Sequence, residues 1–161
     1  MKMKTSTIGL ILTFIILSCT TAKKPAEQAV SYEYQRSGMV NLSGQQNGLL
    51  TVKSVQTAEN INKAVVFAEI NALENILFRG IPGSFQADPV ISNEKEAMAK
   101  SKKVLEDLIF NEGYRTFMTD SQLAERQDSK GAVTVTQQVT FDIPALRKHL
   151  EQNRVIRKFG L

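Results

Sequence analysis

Residues 48–77, GLLTVKSVQTAENINKAVVFAEINALENIL, change period partway along. Leu50 and Val52 share one face of an extended segment, the two-residue period of a strand with one side buried. Further on, Ile61, Ala64, Val65, Ala68, Ala72, Leu73 and Ile76 recur at helical spacing. Thr57 is placed to cap this helix and Gly80 to end it. The alanines at 64, 68 and 72 form a row of small side chains, which lets a helix approach a sheet or a second helix closely. A half-buried strand running straight into such a helix points to a layered α+β fold.

The remaining segments extend this order. Residues 33–42 and 48–57 are predicted as two strands, with GQQNG at 44–48 as the turn between them. A connection with Pro82, Gly83 and Pro89 follows the first helix. Asn93 then caps a second helix, with Glu96 three residues on as in a capping box. Its buried face is Ala97, Val104, Leu105, Leu108 and Ile109, and Gly113 closes it. Tyr114 to Thr119 reads as a strand, DSQLAERQDSKG at 120–131 as a polar hairpin tip, and 131–141 as another strand. Asp142 caps a short helix from Ile143, with Pro144 in the first turn, where a missing N–H costs nothing. The tail RVIRKFGL is either a last short strand or an extended end. The order ββα-α-ββα predicts an antiparallel sheet of about four strands, with two long helices and one short helix packed on one face. At 161 residues, 42% apolar and 22% charged, the chain has room for one domain.

The N-terminus follows other rules. Met1 to Lys4 is basic, and Ile8 to Leu17 is an apolar run of about ten residues, too short for the roughly 20 needed to span a bilayer. Ser18 and the chain's single cysteine, Cys19, come next. The stretch Ile16-Leu17-Ser18-Cys19 resembles the lipobox of bacterial lipoproteins. That resemblance implies a signal peptide at 1–18, cleaved before Cys19, and a diacylglycerol with a further acyl chain such as palmitate on Cys19. Two or more chains anchor stably where one is marginal. Thr20, in place of the aspartate that holds lipoproteins on the inner membrane, implies the outer membrane. Lys23 and Lys24, in place of an acidic cluster, imply the periplasmic face. Residues 19–31 then form a lipidated tether and 32–161 the single domain.

Composition narrows the function. Net charge is +4, but setting aside Lys2 and Lys4 leaves 18 basic against 16 acidic residues, too weak a bias for nucleic acid. One cysteine allows neither an internal disulfide nor a cysteine zinc site. The single histidine, His149, lies in ALRKHLEQN without the further ligands a metal needs, and no G-x-S-x-G elbow or phosphate loop occurs. Glu69 and Glu74 are read on polar helical faces, with no acid–base pairing in their spacing. No catalytic residue, metal site or cofactor is expected. Two stretches are candidates for partner binding. One is the 78–91 connection, through Ile81, Phe85, Val90 and Ile91. The other is the C-terminal basic cluster, with Arg154, Arg157 and Lys158 at its centre and Arg147 and Lys148 nearby.

GLLTVKSVQTAENINKAVVFAEINALENIL at 48–77 and GAVTVTQQVTFDIPAL at 131–146 together resemble small bacterial envelope lipoproteins of the lipoprotein-20 type. They are also similar to the N-terminal domain of the flagellar T-ring protein FlgT. The resemblance covers about a third of the chain. It implies a non-catalytic scaffold or adaptor in a cell-envelope complex, with an envelope protein as partner. A peptidoglycan- or small-ligand-binding lipoprotein is the alternative, and an enzyme of unknown class comes third.

Overall fold

The computed structural model describes residues 32–36 and 38–158. The segment 1–18, Cys19, the tether to residue 31 and the last three residues lie outside the described residues. Four antiparallel strands, β1 (Val40–Gln46), β2 (Leu49–Ala58), β3 (Met118–Ser129) and β4 (Ala132–Asp142), pair in the order β1-β2-β4-β3. With α1 (Ile61–Phe78), α2 (Glu94–Ile109) and α3 (Ile143–Gln152) they form the α+β architecture that the sequence predicts. Helix α1 lies directly on β2 and β4, while α2 packs against α1 and a 3-10 turn at Gly113–Thr116.

Asn47 and Gly48 both have positive φ, 51° and 83°, and make a two-residue turn that pairs Gln46 with Leu49. Such turns twist in the same sense as the strands they join. This carries β1 to Gln46, four residues beyond its predicted end. Its start moves from residue 33 to Val40, because the described residues before it, 32–36 and 38–39, instead form a strap across α1. Asn71 Nδ2 donates to the Gly38 carbonyl at 3.1 Å. A Cβ on Gly38 would stand 2.2 Å from Gln56 Nε2, so only glycine lets the strap lie this close.

Thr57 is not the cap of α1. It stays in β2, its hydroxyl 2.8 Å from that of Thr134 across the ladder, and Asn60 caps the helix by accepting from the Lys63 N–H at 2.9 Å. At the other end Gly80 (φ 77°) terminates α1, its N–H donating to the Asn75 carbonyl. The connection after it turns back on the helix: the N–H groups of Val90 and Ile91 donate to the carbonyls of Ile76 and Leu77 at 3.2 and 2.8 Å. These are last-turn carbonyls with no partner inside the helix, so the loop completes the hydrogen bonding of α1.

Asn93 caps α2 through the Glu96 N–H, and Asp142 caps α3 through the Ala145 N–H, both as predicted. Ala97, Leu105, Leu108 and Ile109 are buried on α2, with Val104 half-buried. Tyr114 to Thr116, expected as strand, forms the 3-10 turn, and the polar stretch expected as a hairpin tip is mostly β3. Only Lys130 and Gly131 (φ 76°) make the tip. β3 is an edge strand exposed over most of its length, so it has no apolar alternation to betray it, and it carries Asp120, Glu125, Arg126 and Asp128, charges of the kind that disfavour pairing at an open edge. The C-terminal segment forms no strand among the described residues. Arg154 takes φ 58°, the Val155 N–H closes on the Leu150 carbonyl at 2.9 Å, and Val155 and Ile156 pack on the core.

Candidate functional site

The C-terminal segment and the end of the 78–91 connection meet. Between the start of α2 and the residues after α3 lies a cleft of about 830 Å³. Its apolar lining comes from Val90, Ile91, Ala97, Val155 and Ile156. Arg154, Arg157 and Lys158, all exposed, line it from the segment after α3, with Arg147 on α3 and Lys100 on α2. Two predicted binding stretches more than sixty residues apart in sequence therefore share one concave surface.

The cations in it are held differently. Lys100 donates to Glu96 Oε1, and this bond, helped by the charge of Arg157, keeps the Glu96 carboxyl below its ordinary range. Arg147 is fixed by Gln86, whose Oε1 accepts from its Nε and Nη2 at 3.4 and 3.2 Å. Gln86 is itself buried and donates to the Asp88 carbonyl, so the 78–91 connection orients the guanidinium. Among the described residues no carboxylate forms an ion pair with Arg154, Arg157 or Lys158. Glu96 and Glu151 are the acids in the lining, against five cations.

The other predicted residues are placed less openly. Ile81 is buried at 1% exposure, and Val90 and Ile91 belong to the same core cluster, so these three close the domain's own interior instead of presenting a free apolar loop. Val90 and Ile91 still offer an edge to the cleft, but Ile81 does not line it. Phe85 is half exposed, away from the cleft, with its N–H donating to Gln45 Oε1. Lys100 and Glu96 escaped sequence reasoning as site residues. They lie on the polar face of α2, and nothing local shows that this face turns toward the C-terminus.

Glu69 and Glu74, expected on polar faces, are buried at 3% and 1% exposure. Glu69 accepts from Tyr114 Oη at 2.8 Å and Ser121 Oγ at 2.7 Å, with Arg115 Nη2 at 3.2 Å. Glu74 accepts from Tyr34 Oη and from Arg36 Nη2, the latter at 2.7 Å, and Arg36 also holds Glu94 through Nη1. Burial and the adjoining carboxylates push both phenols well above the ordinary tyrosine range. These groups hold the strap, the 3-10 turn and β3 onto α1. His149 is half-buried with its ring against Phe117, centroids 5.0 Å apart, beside a smaller cleft of about 300 Å³. Among the described residues no three His, Cys, Asp or Glu side chains gather as metal ligands.

No protein-family model, curated protein or solved structure matches this chain.

Proposed function

We propose that the chain is a non-catalytic binding or assembly module, anchored in the outer membrane through a lipidated Cys19 and facing the periplasm, that engages an envelope partner through the cleft between α2 and the C-terminal segment. One observation carries the reading. Arg154, Arg157 and Lys158 gather over an apolar floor with no ion-pairing acid of their own among the described residues. Such an arrangement attracts and orients an anionic group. Guanidinium and ammonium groups hold anions well and serve poorly as proton acceptors at neutral pH, so the chemistry gathered here suits binding. The lipobox-like sequence at Cys19 supports the anchor.

In-cell photo-cross-linking from position 158, followed by purification from detergent-solubilised envelopes, tests the site. A specific protein adduct that is lost when Arg154 and Arg157 become glutamine is expected, and an adduct pattern indifferent to those changes counts against it. Incorporation of labelled palmitate, abolished by Cys19→Ser, tests the anchor. A volume within the range of small-ligand pockets favours a second reading, a peptidoglycan or small-ligand binder. Co-sedimentation with purified sacculi separates the two.

A further inference from the structure

We infer that the occupant of the cleft is a segment of a protein partner in which acidic side chains flank an apolar one. The inference rests on reading the cleft as the binding site, and it adds the chemistry of what enters. A lipid bilayer presents its anionic headgroups as a broad surface. The apolar floor here, with Val155 and Ile156 half-buried, lies inside a cleft of about 830 Å³, so a broad surface would touch the exposed Arg157 and Lys158 and leave the floor unused. A projecting side chain on a peptide reaches it.

The charges also discriminate. Cations lie on both walls, Lys100 on α2 and Arg154 and Arg157 beyond α3, so a segment lying between them meets positive charge on both flanks. Arg147 is oriented before a ligand arrives by the neutral, buried Gln86, which leaves its charge unneutralised by that contact and suits it to a carboxylate rather than to diffuse charge.

The test uses the full chain in neutral detergent and fluorescein-labelled synthetic peptides with one leucine between aspartates and glutamates, read by fluorescence anisotropy. Binding is expected to weaken about tenfold in the Arg154→Gln/Arg157→Gln/Lys158→Gln variant, as three rim pairs each worth a few-fold would give. It is expected to be lost when the peptide acids become amides and to weaken when its leucine becomes serine. Glu96→Gln releases Lys100 from its ion pair to meet the peptide acids, so it tightens binding about two- to threefold, the size of a single exposed pair. Equal binding of the amide peptide, or an unchanged affinity in the triple variant, overturns the inference. So does preferential binding to phosphatidylglycerol vesicles in place of peptide. If the cross-link at position 158 captures a partner while acidic peptides fail, the site stands and this chemistry falls. If neither is seen, both fall.

Discussion

Helix α1 and the C-terminal cleft both concentrate charge, and they treat it in opposite ways. On α1, Glu69 and Glu74 point into the interior, and each is met by a tyrosine hydroxyl and an arginine. In the cleft, Arg154, Arg157 and Lys158 stay exposed, and where one of them meets an acid, as the charge of Arg157 does at Glu96, that acid is held by a closer cation, Lys100. The difference follows from solvent. A carboxylate removed from water costs several kcal/mol unless it is matched, so the fold draws the strap and the 3-10 turn inward to match it. A hydrated cation costs nothing to leave alone and remains available to something outside. Internal pairing marks architecture here, whereas the exposed cations of the cleft stay accessible at the surface.

The contrast breaks most sharply at Arg36. Arg36→Met leaves Glu74, its side chain 2% exposed, with Tyr34 alone. The expected loss is about 3 kcal/mol, the cost of stranding a buried charge. Unfolding followed by circular dichroism should show a midpoint lower by about 10 °C. Adding Glu74→Gln should restore much of it, since the amide carries no charge to strand. If the double variant is no better than the single one, lost packing of Arg36 on the Phe78 ring is the larger effect.

Tyr114→Phe removes one hydrogen bond to Glu69 and keeps the ring in place, and about 2 kcal/mol is expected, as for a bond to a charged group. The same phenols set an alkaline limit. Tyr34 and Tyr114 are raised above the ordinary value of 10.0, so the folded state keeps protons that the unfolded chain releases above that pH. The unfolded state then binds fewer protons, and stability falls as pH rises from about 10, with the contribution fully present below it. Absorbance titration should find both phenols un-ionised while the chain stays folded, and ionising together as it unfolds. Asn93→Ala, at the mouth of the cleft, removes the α2 cap and is expected to cost about 1 kcal/mol in the same unfolding measurement.

Much of this fold is legible in the sequence because local rules set it. The caps Asn93 and Asp142, the stop at Gly80 and the alternation of Leu50 with Val52 each follow from nearby residues. What is hidden depends on the third dimension. β3 reads as a loop because an edge strand has no core face to show. Glu69 and Glu74 read as surface residues because carboxylates usually are, and their partners come from residues 34, 36, 114, 115 and 121, at no helical spacing from them. The cleft is half legible: its cations form a run near the C-terminus, but their meeting with Lys100 and Glu96 is a product of packing.

The smallest expected effect sharpens the comparison furthest. Changing Arg154, Arg157 and Lys158 together to glutamine should alter stability by less than about 0.5 kcal/mol, because exposed side chains without partners contribute little to folding. Arg154 needs separate attention, since its φ of 58° is a backbone demand that glutamine meets no better and no worse than arginine. The triple variant therefore isolates charge from conformation. A stability loss comparable to that of Arg36→Met would mean that these cations, like Arg36, serve the interior through contacts with the core, and the division between matched charges inside and unmatched charges outside would fail. Unchanged stability with weakened acidic-peptide binding would mean that folding leaves this charge free for a partner.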